Sequence, residues 1–186
     1  MENLRLFIAV ETPEDLKKII EEKKHLLSGK MKFVEKANLH ITLAFLKKDN
    51  QGILVEDVEK IKKQLSKISE NLEPIEIEIS RLKPIPAETF IRVLAFDIKN
   101  KEKIIQLQSA IKTKLTKLKI TSLINPAHLT LSRLTSIENK ENLLKTINSI
   151  SINYTFKAEH FSLFQSILSR SGPEYKKLCD FNFKKS

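Results

Sequence analysis

The sequence has a single cysteine, Cys179, among its 186 residues. One thiol cannot form an internal disulfide, and no pair of cysteine and histidine stands at the spacing of zinc ligands. These two absences exclude a small secreted domain held together by disulfides, and they exclude a zinc-binding module. They favour a protein of a reducing compartment.

Long apolar runs are also missing. No segment approaches the roughly 20 apolar residues that a helix needs to cross a bilayer. The chain begins with Met1-Glu2-Asn3 and a short apolar strand pattern. This start lacks the basic residues and the longer apolar core of a secretory signal. We therefore expect a cytoplasmic protein that binds no membrane.

Glycine and proline are scarce, with three and six residues. No stretch is rich enough in glycine, serine or proline to separate independent domains, so we expect one domain over residues 1–186. The Gly-x-Ser-x-Gly elbow of serine hydrolases is missing, as are the P-loop and the lysine motif of nucleotidyl transfer. A serine nucleophile and an ATP-dependent reaction are both disfavoured.

Charge is abundant. The chain carries 33 lysines and arginines against 23 aspartates and glutamates, a net charge of +10, with both signs spread along its length. A positive field of this size attracts polyanions, and it makes nucleic acid the first candidate partner. A lysine-rich surface that serves only solubility is the alternative interpretation of the same composition.

Strand and helix patterns alternate along the chain. Apolar residues at helical spacing predict helices over residues 13–27, 55–68, 101–118 and 137–150. Period-two alternation predicts strands over 4–10, 39–45, 75–79, 90–98 and 127–134, an extended segment over 152–167 and a closing strand over 175–183. Glu76 and Glu78 alternate with isoleucines, which predicts a sheet with one face exposed to solvent.

The two halves of the chain repeat one another. Residues 38–46 align with 126–134, which sets His40 and His128 in equivalent positions 88 residues apart, and residues 5–9 resemble 92–96 upstream. A strand-helix-strand unit therefore recurs. We predict two lobe-forming repeats, about 3–83 and 89–167, related by a pseudo-twofold axis.

Each repeat contributes a His-x-Thr strand, with His40 and Thr42 in the first and His128 and Thr130 in the second. Positions i and i+2 of a strand share a face about 6.5 Å apart. If the two strands face one cleft, an anion on the axis meets two hydroxyls and two imidazoles from opposite sides. In-line displacement at phosphorus needs a base and an acid placed in this way, and histidine suits both roles near neutral pH.

Two other interpretations compete with acid–base catalysis. A lone histidine on a strand is usually structural, but two copies in matched context disfavour that interpretation. A metal site with two histidines would need a carboxylate or a cysteine nearby as a further ligand, and neither motif contains one. We therefore expect no metal and no cofactor.

The motifs resemble those of a known family. His40-Ile41-Thr42-Leu43 and His128-Leu129-Thr130-Leu131 are similar to the paired signatures of the two-histidine phosphoesterases. The resemblance to the branch called RNA 2′,3′-cyclic phosphodiesterase, or 2′-5′ RNA ligase, extends from about Arg5 to Phe183. Its further motifs are Arg5-Leu6-Phe7-Ile8-Ala9-Val10, Asn38-Leu39-His40, Pro126-Ala127-His128, Ser166-Ile167-Leu168 and Gly172-Pro173-Glu174-Tyr175.

The resemblance implies a bilobal α+β fold, with two antiparallel sheets around a central cleft and helices on the outside. It also implies metal-free opening of a terminal 2′,3′-cyclic phosphate to a 2′-phosphate, with ATP-independent 2′-5′ ligation as the reverse reaction. His40 is then the proton donor and His128 the proton acceptor, while Thr42, Thr130 and Arg133 bind the phosphate. Strict alternation points Arg133 away from Thr130, so its role requires the strand to end or twist between them.

The implied partner is RNA with a 2′,3′-cyclic phosphate end, such as a tRNA half, and no obligatory protein partner is evident. Two alternatives remain open at this point. A phosphodiesterase of the same superfamily acts on small cyclic nucleotides or ADP-ribose cyclic phosphate, and a non-catalytic RNA-binding module would keep the repeat as a scaffold. The positive charge favours RNA over a small substrate.

Overall fold

Helices and strands alternate in the order that the sequence predicts. The computed structural model describes residues 3–49, 51–169 and 172–184. Within these ranges the helices are α1 (Glu14–Lys24), α2 (Val58–Ser69), α3 (Glu102–Thr116) and α4 (Lys140–Ser149). The strands are β1 (Asn3–Leu4), β2 (Leu6–Glu11), β3 (Met31–Phe33), β4 (His40–Lys47), β5 (Ile53–Leu54), β6 (Ile75–Ala87), β7 (Phe90–Ile98), β8 (Thr121–Leu123), β9 (His128–Leu134), β10 (Ser151–Ala158), β11 (His160–Leu168) and β12 (Pro173–Asn182).

A large antiparallel sheet contains the two motif strands at its centre. Its order is β10-β6-β7-β9-β4-β2-β11-β12, β3 also pairs with β9, and β8 also pairs with β4. β1 and β5 form a separate small sheet. Among the described residues, β4 and β9 pair where Ile41 lies across from Leu129 and nowhere else. This junction divides the large sheet into a first half-sheet (β8, β4, β2, β11 and β12) and a second half-sheet (β3, β9, β7, β6 and β10).

Each half-sheet takes strands from both repeats. β6, at the end of the first repeat, continues through a tight hairpin into β7 and pairs with it in the second half-sheet. β11, at the end of the second repeat, returns to pair with β2. Short connections favour pairing between consecutive strands, which explains the β6–β7 pair. The repeats therefore interlock, and the limits 3–83 and 89–167 stay a prediction about sequence units.

The helices pack on one face of the sheet. α2 buries Ile61 and Leu65, and α3 buries Leu107 and Ile111, in the same apolar core as Ile41 of the central junction. Successive side chains of a strand point to opposite faces. The motif histidines and threonines, one position away from buried residues, therefore lie on the face turned away from the helices.

The α+β class with antiparallel sheets is confirmed, and three helix ends lie three residues from their predicted positions. α2 begins at Val58 rather than at residue 55, because residues 55–57 form a 3-10 helix. α1 ends at Lys24 rather than at residue 27. α4 begins at Lys140 rather than at residue 137, because the Asn139 side chain accepts a hydrogen bond from the Asn142 N–H at 3.0 Å and caps the helix there. None of the helices in the described ranges has the length and apolar character needed to span a bilayer.

Candidate active site

The two His-x-Thr motifs meet at the junction of the half-sheets. Antiparallel pairing of Ile41 with Leu129 sets His40 across from Thr130, and Thr42 across from His128. All four are partly exposed, whereas Ile41 and Leu129 are fully buried. The structure thus brings the four motif side chains of both repeats onto one open face.

Each histidine is oriented by a backbone carbonyl two residues upstream. His40 Nδ1 lies 2.7 Å from the carbonyl oxygen of Asn38, and His128 Nδ1 lies 2.7 Å from that of Pro126. A carbonyl oxygen only accepts, so each Nδ1 carries a proton and donates it. The other ring nitrogen, Nε2, is therefore the one left to exchange protons in the cleft. His40 Nε2 lies 3.0 Å from Thr42 Oγ1, which donates to it when the ring is neutral.

Arg133 lies on the same face as Thr130 because β9 contains a bulge. Ala95 of β7 pairs with Thr130, and the next residue back, Leu94, pairs with Ser132, so Leu131 is an extra residue. An extra residue shifts the alternation by one position. Arg133, paired with Val93, returns to the face that carries His128. The bulge therefore supplies the change of face that a phosphate contact by Arg133 requires.

A matching bulge occurs in the first repeat. Ala9 of β2 pairs with Thr42 and Ile8 pairs with Ala44, so Leu43 is the extra residue of β4. Phe45, paired with Phe7, therefore shares the open face with His40. Phe45 and Arg133 hold equivalent places in the two repeats, five residues after their histidines. The site is symmetric in its histidines and threonines and asymmetric at this position.

Both histidines have pKa values below the ordinary value of 6.5. Burial is the main cause that lowers the pKa of His40, and the charges of His128 and Arg133 add to it. Burial is also the main cause for His128, followed by the charges of Lys83 and Arg133. The hydrogen bonds from Nδ1 to the backbone oppose these effects and favour the charged rings. Both imidazoles are thus poised to be neutral near pH 7.

These shifts predict an acidic pH optimum for kcat/KM. For a reaction that needs one histidine neutral and one protonated, kcat/KM follows a bell-shaped dependence on pH. Its two limbs report the two apparent pKa values of the histidine pair in the free enzyme. Because both pKa values lie below 6.5, the optimum is expected below 6.5, and the rate falls on the alkaline side as the acid loses its proton. Initial rates at fixed ionic strength across the range from acidic to mildly alkaline pH test this, and an optimum on the alkaline side of neutrality contradicts it.

Aromatic side chains surround His40. The ring centroids of Phe7 and Tyr175 lie 5.0 and 5.4 Å from that of its imidazole, and Phe7 stacks on Phe164 at 5.2 Å. Beside them a cleft of about 660 Å³ opens, which Phe45 also lines. Phe7 and Tyr175 stand in the motifs that carry the family resemblance, and neither is assigned a role from the sequence alone. Phe7 reaches His40 because β2 pairs with β4. The proximity of Tyr175 to His40 depends on the return of β11 and β12 to the first half-sheet, which local periodicity does not indicate.

Lysines surround the acidic neighbour of His128. Asp97 lies across from His128 in the sheet, and its Oδ1 is 2.6 Å from both Lys83 Nζ and Lys101 Nζ. The two lysines and Arg133 therefore place more positive charge beside His128 than the carboxylate cancels. No sequence pattern indicates this cluster, because Lys83 belongs to the first repeat and comes near His128 only through the pairing of β6 with β7.

A second polar cluster lies across from His40. Glu11 pairs with His40 in the sheet, and its Oε2 is 2.5 Å from Lys177 Nζ and 3.3 Å from His160 Nε2. Asp180 Oδ1 lies 3.3 Å from the same Lys177 ammonium. Glu11, His160 and Asp180 come close enough together to hold a metal ion. The Lys177 ammonium already contacts both carboxylates, so the cluster contains its own positive charge.

The chain is similar over nearly its whole length to known phosphoesterases. The model of the LigT-like phosphoesterase family matches residues 6–94 and 97–175. An RNA 2′,3′-cyclic phosphodiesterase of Methanocaldococcus jannaschii is 32% identical over 177 residues, which cover 93% of this chain and 97% of the relative. A protein of the same name from Archaeoglobus fulgidus is 30% identical over 183 residues, 96% of this chain and 99% of the relative.

Solved structures share the fold. A protein of Thermus thermophilus, TT0787, matches with a TM-score of 0.84 at 21% identity, over 97% of this chain and 98% of that one. E. coli LigT in its apo form matches with a TM-score of 0.77 at 18% identity, over the whole of both chains. The family match spans both motif strands and nearly all the elements described above. The chain therefore belongs to the LigT-like phosphoesterase family, and its resemblance to the two-histidine phosphoesterases is confirmed.

Proposed function

We propose that this protein is an RNA 2′,3′-cyclic 3′-phosphodiesterase, which opens a terminal cyclic phosphate to a 2′-phosphomonoester. The observation that carries the proposal is the matched pair of imidazoles. Each donates from Nδ1 to a backbone carbonyl, which leaves Nε2 available for proton transfer at the open face. The names of relatives at 30–32% identity over nearly the whole chain support the substrate class. The net charge of +10 favours RNA as the bearer of the phosphate.

The proposed reaction needs two proton transfers. His128 Nε2 takes a proton from a water molecule as the water oxygen attacks phosphorus. The bond from phosphorus to the ribose O3′ breaks on the opposite side, and protonated His40 Nε2 gives its proton to O3′. Both histidines end in the opposite protonation state, and proton exchange with solvent restores them.

Hydrogen-bond donors bind the non-bridging oxygens during this reaction. Thr42 and Thr130 present hydroxyls next to the two imidazoles, and Arg133 presents a guanidinium that can donate two parallel hydrogen bonds. Negative charge that builds up on these oxygens is stabilised most by donors already in place. Thr42 becomes free to donate to the phosphate once His40 is protonated, because a protonated Nε2 no longer accepts its hydrogen bond.

The same two histidines suffice for ligation. When the 5′-hydroxyl of a second RNA replaces water, attack on the cyclic phosphate gives a 2′-5′ linkage with O3′ as the leaving group. The reverse of that step cleaves the linkage. No ATP is required, because the cyclic ester already activates the phosphate. We propose that both reactions take place in the cytoplasm and need no metal, cofactor or protein partner.

An assay with EDTA tests the proposal. An oligoribonucleotide with a 2′,3′-cyclic phosphate end is incubated with the protein and excess EDTA, and the product phosphate is identified as 2′ or 3′ by comparison with synthetic standards. We expect hydrolysis at the rate seen without EDTA and a 2′-phosphate product. A 3′-phosphate product contradicts the geometry of attack, and activity that EDTA abolishes and Mg²⁺ or Mn²⁺ restores contradicts metal-free catalysis.

A further inference from the structure

The two motif histidines lie beside charged clusters of opposite balance. Glu11 lies across from His40 in the sheet. The carboxylates of Glu11 and Asp180 both contact the Lys177 ammonium, at 2.5 and 3.3 Å, so two carboxylates share one lysine. The cluster beside His40 therefore has more negative than positive charge whenever the imidazole of His160 within it is neutral.

The cluster beside His128 has the reverse balance. Asp97 lies across from His128, and its Oδ1 is 2.6 Å from both Lys83 Nζ and Lys101 Nζ. Here two ammonium groups share one carboxylate. The repeat symmetry of the histidines is therefore broken in charge, and a polyanion is attracted to the His128 side rather than to the His40 side.

We propose that Lys83 and Lys101 form a subsite for the first phosphodiester of the acceptor RNA, the strand whose 5′-hydroxyl attacks in ligation. The inference rests on the proposed function, in which the attacking oxygen enters from the His128 side. In the ligation step the 5′-hydroxyl gives its proton to His128 Nε2 as O5′ bonds to phosphorus, and O3′ leaves with the proton of His40. The subsite gives the acceptor strand a binding site of its own, separate from the reacting phosphate.

The position of the lysines suits a phosphate one nucleoside away from the reaction. The strand order β4-β9-β7-β6 places His128 at the central junction, Asp97 one strand farther out and Lys83 one strand beyond that. In an acceptor RNA the first phosphodiester follows O5′ by one nucleoside, so it lies beside the reacting phosphorus rather than at it. The ribose of the other strand lies on the opposite side, because its O3′ leaves toward His40. The phosphodiester nearest to the two lysines is therefore that of the acceptor.

The two ammonium groups are held in place and remain accessible. The side chains of Lys83 and Lys101 are 34% and 28% exposed, and that of Asp97 is 22% exposed. Burial raises the pKa of the Asp97 carboxyl, but hydrogen bonds from both lysines outweigh it and hold the pKa below its ordinary value. The carboxylate thus stays charged at neutral pH and fixes both lysines. Each ammonium has three N–H donors, which leaves donors for a phosphate oxygen.

The charges of the lysines extend to the place where the acceptor oxygen reacts. Burial is the main cause that lowers the pKa of His128, and the charges of Lys83 and Lys101 lower it further. An acceptor phosphate bound between the lysines would be close to His128 in the same way. Groups that are already ordered bind a ligand without the entropic cost of fixing flexible side chains.

A competition between water and RNA tests the subsite. The donor strand is a 5′-phosphorylated oligoribonucleotide with a 2′,3′-cyclic phosphate end, which cannot ligate to itself. The acceptors are the dinucleotide adenylyl-adenosine with a free 5′-hydroxyl and its methylphosphonate, in which a methyl group replaces the charged oxygen. Each reaction is scored by the ratio of ligated to hydrolysed donor. This ratio cancels changes common to both reactions, including a change in the pKa of His128 when a lysine is removed.

The variants are Lys83→Met and Lys101→Met, each of which leaves Asp97 one ammonium partner. The matched control is Lys62→Met, on α2 at the other face of the sheet, which removes the same charge from a 2.7 Å ion pair with Glu59. We expect the wild type to favour the diester over the methylphosphonate about tenfold, and both test variants to lose most of this preference. The methylphosphonate ratios, and both ratios of Lys62→Met, should match the wild type.

The outcomes separate the subsite from the proposed function. The subsite is overturned if the wild type uses both acceptors equally, if the test variants keep the full preference, or if Lys62→Met loses it too. In each of these cases hydrolysis of the donor leaves the phosphodiesterase standing. Failure to hydrolyse the donor overturns the proposed function itself, and hydrolysis without ligation of either acceptor overturns the ligation step together with the subsite. The comparison of the two acceptors on the wild-type protein needs no variant, so an unstable variant does not prevent the test.

Discussion

Alanine at either His40 or His128 is expected to lower kcat for cyclic phosphate hydrolysis by roughly 10²- to 10⁴-fold, because each imidazole supplies one of the two proton transfers. The double variant should be little slower than the slower single variant, since the two groups act as a unit. Steady-state rates on an oligoribonucleotide with a cyclic phosphate end measure all three. Near-normal activity in either single variant contradicts the mechanism.

A substrate with sulfur in place of O3′ distinguishes the two roles. A thiolate leaves without protonation, so His40→Ala should recover most of its activity on the 3′-thio cyclic ester, while His128→Ala should stay slow because water still needs a base. Rescue of His128→Ala instead reverses the roles. His25→Ala is the matched control, since His25 is an exposed residue at the end of α1. It should behave as the wild type on both substrates.

The core of this site could be predicted from sequence because its determinants are local. Period-two alternation alone sets His40 and Thr42 on one face, and the repeat at His128 and Thr130 shows that the pattern occurs twice in the same context. The α+β class follows from the same alternation of strand and helix signals. Helix ends were harder to predict. The apolar pattern from Ile137 to Ile150 does not mark where α4 begins, which the hydrogen bond from the Asn142 N–H to the Asn139 side chain sets at Lys140.

The parts of the site that come from distant segments could not be predicted. The face occupied by Arg133 depends on one extra residue, Leu131, and an apolar strand pattern does not reveal a bulge. Tyr175 reaches His40 only because β12 pairs with β11 and β11 pairs with β2. Lys83 reaches the surroundings of His128 only because β6 crosses into the second half-sheet. These contacts follow from strand order, on which local periodicity carries no information.

Arg133→Met is expected to lower kcat by about 10²-fold or more, the usual loss when one preorganised donor to a developing charge is removed. Arg133→Lys should keep part of the activity, because it keeps the charge and loses the paired hydrogen bonds of the guanidinium. The matched control is Arg92→Met. Arg92 lies on the neighbouring strand β7 with its guanidinium 4.7 Å from the Phe90 ring, and we expect near-normal kcat after its removal.

The pH profile separates a role at the phosphate from a merely structural one. The charge of Arg133 lowers the pKa of both His40 and His128, so removing it lets both pKa values rise. The bell-shaped profile of kcat/KM for Arg133→Met should therefore move as a whole to higher pH, whereas Arg133→Lys should leave it close to the wild type. A slow Arg133→Met enzyme with an unmoved profile contradicts a position of the Arg133 charge close to both imidazoles. The loss of one positive charge should raise the apparent pKa values of both limbs of the profile. A shift of only one limb therefore also contradicts an effect of Arg133 on both imidazoles.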